Sequence, residues 1–197
     1  MITSSNQPGV GSSADLSQQF LLAMPGMVSG SLADTVIYVC EHTEHGALGL
    51  VINRPTDLTV GNLLKRIELD LSLEIGPVQN KPVFFGGPVQ TDRGFVLHVP
   101  AGEYSSSIQL GDLALTTSRD ILQEVAHGGG PAQILITLGY AGWGAGQLES
   151  EIAQNAWLNV LASNEILFKT PPEGRYEAAL GQLGIRAAML TGDAGHA

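Results

Sequence analysis

The sequence predicts an α+β domain built on one curved, mixed β-sheet flanked by helices. Short apolar runs, such as Val36-Ile37-Tyr38-Val39-Cys40 and Ile134-Leu135-Ile136-Thr137-Leu138, are strand-sized and end in glycine, proline or polar turns. Helical periodicity occupies separate stretches at 118–126, 147–158 and 175–183. The two kinds of segment do not alternate as the βαβ units of a doubly wound sheet do.

Each element follows in order. Residues 1–14 are mostly Ser, Gly, Asn, Gln and Pro with little to bury, and are expected to form a disordered tail before a single domain at 15–197. A first strand is expected at Phe20-Leu21-Leu22-Ala23-Met24, ended by Pro25-Gly26. Asp34 to Cys40 predicts a central strand, Glu41 to Gly46 a polar turn, and Ala47 to Asn53 the returning strand of a hairpin. Thr59 suits the cap of a short helix through Arg66, and 69–80 reads as a variable loop. Strands are expected at Pro82 to Phe85 and at Gly94 to Val99. Two more, Ser107 to Leu110 and Leu113 to Thr116, flank the turn dipeptide Gly111-Asp112.

Ser118 to Ala126 predicts a helix stopped by the glycines at 128–130. Ile134 to Leu138 is a buried strand, followed by a glycine-dense turn through Gly146 and a helix from Gln147 to Leu158. Ile166-Leu167-Phe168 reads as a short strand, Pro171-Pro172 as the start of the helix at 175–183, and Ala187 to Leu190 as a weak strand.

Composition narrows the functional classes. The chain has 197 residues, enough for one substantial core, and only 14% of them are charged. Net charge is -10 with nine Lys and Arg, and Lys65-Arg66 is the densest cationic cluster. Phosphate backbones are held by clustered cations, so direct nucleic-acid binding is not expected. The one cysteine, Cys40, lies in an apolar run and reads as a buried, inert thiol. With no disulfide, no signal peptide and no apolar run of ~20 residues, a cytoplasmic protein that does not contact a membrane is expected.

Several constellations could carry chemistry. At ~100° per residue, a helix from Gln147 puts Leu148, Ile152 and Ala156 on one apolar stripe, with Asn155 inside it and Glu151 at its edge. Asn155 is therefore expected to be buried and tied to backbone, and Glu151 to pair with an arginine. Both could instead form the polar floor of a pocket, with Glu149 in the first helical turn. The glycines at 142, 144 and 146 match neither a dinucleotide nor a P-loop pattern, and are expected to permit close packing around Tyr140 and Trp143. Glu41-His42-Thr43-Glu44-His45 is not a metal signature, because His42 and His45 need not converge in a turn. No metal or cofactor is expected. His98 reads as a half-buried histidine bonded to backbone. Arg54, Arg93 and Arg119 each sit beside a turn, which points to ion pairs or to a site for an acidic ligand. Together with Asn53 and Gln147, these residues define the candidate pocket: Asn53, Arg54, Arg93, His98, Arg119, Tyr140, Trp143, Gln147, Glu149, Glu151 and Asn155.

Several segments taken in order closely resemble the AlgH/YqgE-like family of small bacterial proteins. They are Leu22-Ala23-Met24-Pro25, Val36 to His42, Gly46-Ala47-Leu48-Gly49, Asn53-Arg54-Pro55, Gly86-Gly87-Pro88-Val89, Asp92 to His98, Thr116 to Asp120, Leu138-Gly139-Tyr140-Ala141 with Trp143, Gly146-Gln147-Leu148-Glu149 with Glu151-Ile152, Asn155-Ala156-Trp157-Leu158 and Ile166-Leu167-Phe168. Leu32 and Asp34 depart from the family pattern, which has a phenylalanine and a basic residue near those places. The resemblance implies a coiled, bifurcated sheet and a cytosolic bacterial protein, and brings no established biochemical activity. Family members are often labelled transcriptional regulators, because one is linked to control of alginate production.

Three functions compete. The first is an indirect regulatory or binding protein for a small molecule or a protein partner, since aromatic and polar residues gather at turns without a nucleophile–base pair. The second is an enzyme using Glu149 or Glu151 as general base, with Arg119 or Arg93 polarising the substrate. The third, a DNA-binding transcriptional regulator, conflicts with the acidic charge and the absence of a helix-turn-helix pattern.

Overall fold

The computed structural model describes residues 14–72 and 75–190, so most of the expected tail lies outside the described residues. The strands are β1 (Gln19–Ala23), β2 (Val36–Thr43), β3 (Gly46–Val51), β4 (Pro55–Thr59), β5 (Pro82–Phe85), β6 (Val89–Val99), β7 (Ser107–Leu110), β8 (Leu113–Thr116), β9 (Gln133–Gly144) and β10 (Trp157–Leu161). The α-helices are α1 (Val60–Arg66), α2 (Arg119–Ala126), α3 (Gln147–Ala153) and α4 (Arg175–Gly181). One curled sheet runs in the order β10-β1-β2-β3-β9-β6-β8-β7, with antiparallel neighbours throughout. At β9 the sheet forks. Residues 141–144 pair with β3, whereas Thr137 and Leu138 pair in parallel with β5, which in turn holds β4. The α+β class and the bifurcated mixed sheet are thus present.

Strand alternation puts a core on each face of the sheet. Phe20 and Leu22 of β1, Tyr38 of β2, and Phe95 and Leu97 of β6 face one layer, closed by Leu167, Ala179 and Leu180. Leu21, Ile37, Val39 and Val51 face the opposite way, onto Leu148 of α3 and both tryptophans. Beyond the fork, Val96, Ile134 and Ile136 pack under α1 and α2 through Leu64 and Ile121. Leu21, Leu22, Ile37, Leu64, Leu97 and Ile121 are fully buried, and each contributes ~1.5–3 kcal/mol of apolar transfer. Among the described residues no helix is long and apolar enough to cross a membrane.

Five expectations need correction. The glycine-dense stretch after Leu138 is the second half of β9, not a turn, and its side chains alternate inward and outward to Gly144. Of the glycines expected to permit close packing, Gly142 does so, since an added Cβ would stand 3.1 Å from the Tyr140 ring, whereas at Gly144 and Gly146 a Cβ would meet nothing closer than 3.9 Å. The tight approach is at Gly46 of the neighbouring strand, where a Cβ would stand 2.1 Å from the Trp143 carbonyl oxygen. The helix expected to reach Leu158 stops at Ala153, and Trp157-Leu158 begin β10. Asn155 takes a left-handed backbone (φ 58°). The Asn155 N–H then bonds the Ile152 carbonyl and the Ala156 N–H bonds that of Glu151, a Schellman stop that helical periodicity does not reveal. Ile166 to Phe168 lie in a π-helical turn (Glu165–Lys169) and Ala187–Met189 in a 3-10 turn, where strands were expected. β4 was missed because it opens on a proline and its first three residues are exposed, so no apolar alternation marks it.

Candidate functional site

Residues on β9, α3 and β10 converge at one place. Period-two alternation turns Ala141 and Trp143 inward from β9. Gly146, with φ 71°, redirects the chain into α3. One helical turn separates Gln147 from Glu151, so both project on the same side. β10 pairs with β1 in the register Ala23↔Trp157, which brings Trp157 under the end of α3.

Glu151 is the centre of this cluster. Its Oε2 accepts the indole N–H of Trp143 at 2.9 Å and that of Trp157 at 2.7 Å. Its Oε1 accepts Gln147 Nε2 at 2.9 Å, and Gln147 Oε1 accepts the Gly144 N–H at 3.0 Å. The expected arginine partner of Glu151 is replaced by these three neutral donors, because among the arginines no side chain reaches it. The two indoles stand edge to face, 5.9 Å between centroids. They line a cleft of about 320 Å3 with Gly142, Gln147, Gln154 and, at the rim, Met27 and Leu32. Met27 is 55% exposed there.

Glu149 faces the other way. His42 Nδ1 accepts the Leu16 N–H at 3.1 Å, so Nε2 carries the proton and donates to Glu149 Oε1 at 3.0 Å. Both imidazole nitrogens are therefore committed, and the His42 side chain is only 3% exposed. His45 points elsewhere, beside Glu44 in solvent.

The other candidate residues do not join this cleft. Tyr140 stands edge-on to Phe95 and lines a shallow hollow on the Glu41 and Leu48 side of Trp143. Asn53 accepts the Val36 N–H and donates to the Asp34 carbonyl, while Arg54 donates to the Ala33 carbonyl at 2.5 Å, so the pair ties the 33–36 segment to β3. Arg93 and Arg119 share a separate, largely apolar hollow of about 260 Å3 with Asp92, Leu63 and Leu138. Arg119 donates to the Ile67 carbonyl at 2.6 Å, and Arg93 donates to Gln90 and covers the Phe95 ring. Where ion pairs were expected for Arg54, Arg93 and Arg119, the bonds shown go to uncharged oxygens. Asn155 is exposed at the Schellman stop, not buried in the stripe.

His98 is more deeply buried than expected. Its Nδ1–H donates to the Pro100 carbonyl at 2.9 Å, and its Nε2 accepts the Thr116 hydroxyl at 2.7 Å. Burial holds its pKa below 6.5, against the opposing pull of the Pro100 bond. Cys40 is buried and its thiol pKa is pushed well up by desolvation, as its apolar run foretold.

Sequence reading missed one further cleft. Lys81, Lys169 and Arg175 line a hollow of about 220 Å3 floored by Phe84, Leu135 and Leu167. The available signal was the scarcity of cations: nine in the whole chain, three of them here.

The chain belongs to the AlgH-like family, whose profile matches residues 20–188. It is 73% identical to a UPF0301 protein of Bordetella petrii over 93% of this chain and 90% of that one. It is 58% identical to a UPF0301 protein of Cupriavidus metallidurans, over 93% and 96% of the two chains. Among solved structures it is similar to the AlgH protein of Pseudomonas aeruginosa, in solution, with 48% identity, a TM-score of 0.76, and coverage of 96% and 100%. A protein from Corynebacterium diphtheriae shares the fold at 18% identity and a TM-score of 0.69, covering 96% and 94%.

Proposed function

We propose that this AlgH-like protein works by binding rather than by turnover: a cytoplasmic, indirect regulator whose tryptophan cleft takes a small-molecule ligand. The observation that carries the reading is the cleft between Trp143 and Trp157, whose two indole N–H groups both bond to Glu151. A preformed, aromatic-walled concavity of about 320 Å3 suits a small ligand better than a flat protein surface. The enzyme alternative draws less support. Glu151 accepts three hydrogen bonds and Glu149 accepts one from His42, so each carboxylate is engaged in holding the fold together. Direct DNA reading is opposed by the net charge of -10.

Both tryptophans of the chain line the cleft, so intrinsic fluorescence reports its occupancy directly. Titration with a metabolite collection is expected to give saturable emission changes with at least one compound, and Trp143→Phe should weaken that compound's binding. Consumption of the compound in step with binding would replace this reading with the enzymatic one. A collection that leaves the emission unchanged would remove the cleft as a ligand site.

A further inference from the structure

The cleft around Arg175 is a charge anomaly. Along the chain acids outnumber bases by 19 to 9, yet three of the nine bases line this one hollow, and no acid among the described residues does. Arg175 is only 5% exposed. Its Nε donates to the Thr170 carbonyl at 2.9 Å, its Nη1 donates to the Ile52 carbonyl, and its guanidinium lies 5.0 Å over the Phe84 ring. None of these partners is an anion. A buried guanidinium without a carboxylate carries an uncompensated desolvation cost. That cost pulls its pKa down to about 10, against the opposing field of Glu173, and leaves it cationic at neutral pH. A guanidinium has five N–H donors, and among the described residues two hydrogen bonds to protein acceptors are made here.

The two lysines stand at the mouth. Lys169 meets Glu165 at 2.9 Å in an exposed i,i+4 pair, a weak contact that an incoming anion can replace. Lys81 is exposed, and its ammonium has no hydrogen-bond or ion-pair partner among the described residues. The walls between these cations are apolar: Val60, Pro82, Phe84, Ile134 and Phe168.

We infer that this hollow binds a small carboxylate with an aromatic or branched apolar body, its head held by Arg175 and the two lysines. Size selects the class. A cavity of ~150 Å3 accepts benzene. About 220 Å3 therefore admits one ring or a branched chain with a carboxylate, and is too small for a nucleotide or a drug-sized ligand. Charge selects the head group, since a carboxylate matches the fork of a guanidinium and supplies the missing counter-charge.

The test uses the 15N-labelled full chain and 3-phenylpropionate as probe, with 3-phenylpropanamide and acetate as controls. Ligands of about ten non-hydrogen atoms bind in the micromolar to millimolar range. Phenylpropionate is expected to give saturable shifts at the amides of Lys81, Lys169, Thr170 and Arg175, without changing tryptophan emission. The amide, lacking the charge, should bind at least ~10-fold more weakly, and acetate should not saturate. Because Arg175 also ties two carbonyls, its replacement tests folding as much as binding, so the exposed lysines carry the mutational arm. Lys81→Gln and Lys169→Gln should each weaken binding about two- to fivefold with unchanged melting temperature. No saturable shift, equal binding of acid and amide, or shifts confined to the tryptophan cleft would each overturn the assignment. The tryptophan cleft is read by fluorescence and this hollow by local amides, so either reading can fail without the other.

Discussion

Trp143 stands edge-on to Trp157, and the two indole N–H groups meet on a single carboxylate oxygen, Oε2 of Glu151. Three successive elements, β9, α3 and β10, are thereby pinned at one atom. Glu151→Ala leaves two largely buried indole donors unpaired, at about 1–3 kcal/mol each. The expected loss is about 2–6 kcal/mol by urea denaturation. Glu151→Gln keeps an acceptor for the indoles but turns a second donor toward Gln147, and should cost about 1 kcal/mol. An Ala variant as stable as the parent would show that the indoles find water instead.

At the fork in the sheet, the contact is backbone on backbone. A Cβ added to Gly87 would stand 2.0 Å from the Tyr140 carbonyl carbon, and one added to Gly139 would stand 2.3 Å from the Gly87 carbonyl oxygen. Gly139 also has φ 76°. Neither atom can move aside without opening the sheet. Gly87→Ala and Gly139→Ala should each cost more than ~3 kcal/mol or abolish soluble expression. Gly144→Ala is the control: its nearest neighbour would be Gln147 Oε1 at 3.9 Å, and its melting temperature should stay close to that of the parent. Wild-type stability of either fork variant would mean that the two segments do not cross this closely.

The fork shows where sequence reasoning stops. Strands and helices carried by local periodicity were legible from β1 through the 107–116 hairpin to α2, apart from β4. The close approach of Gly86-Gly87 to Gly139-Tyr140 was not, because glycine density alone fits a turn as well as a crossing of backbones. The same limit misplaced Asn155: at helical spacing it falls on the apolar stripe, but an asparagine can also adopt the left-handed conformation that ends a helix. The site was half legible. Trp143, Gln147 and Glu151 lie close together in sequence and meet in space, whereas Trp157 entered the site only through its pairing with Ala23. Arg175 joined Lys81 by folding alone, and no local pattern links them.

His98 gives a pH prediction. Burial lowers its pKa from 6.5, so between the folded value and 6.5 the unfolded chain binds the extra proton. Its contribution to stability is therefore complete above pH 6.5 and is lost as pH falls through the folded value. Asp120 acts lower: hydrogen bonds from Ser118 and Ser105 hold its pKa at about 2, so its contribution fades only below 3.8. An NMR titration of the His98 ring should give a midpoint below 6.5. A midpoint at or above 6.5 would mean that the imidazolium is stabilised and that the bond to Thr116 is not made as described.

Asn155 carries a prediction set by its backbone conformation and not by a buried amide. In the left-handed position of the Schellman stop, glycine is the residue with least strain. Asn155→Gly should be neutral or slightly stabilising, and Asn155→Ala should cost about 1 kcal/mol through backbone strain alone. If Gly destabilised more than Ala, the side chain would be making a contact that outweighs its backbone role.

Thr137 lies at the base of the fork, opposite Phe84 on one side and Phe95 on the other. It is fully buried, and its hydroxyl oxygen has no hydrogen-bond partner among the described residues. A buried hydroxyl without a partner keeps its desolvation cost and recovers nothing. Valine has nearly the same shape and no polar atom, so Thr137→Val should stabilise the protein by about 1 kcal/mol, or ~2–4 °C in melting temperature for a domain of this size. Thr137→Ser separates the two halves of the side chain, since it keeps the hydroxyl and deletes the methyl group. It should destabilise by about 1 kcal/mol through the lost packing. Calorimetry on the three proteins sets the order Val above Thr above Ser. A Val variant less stable than the parent would show that the hydroxyl does have a partner in solution.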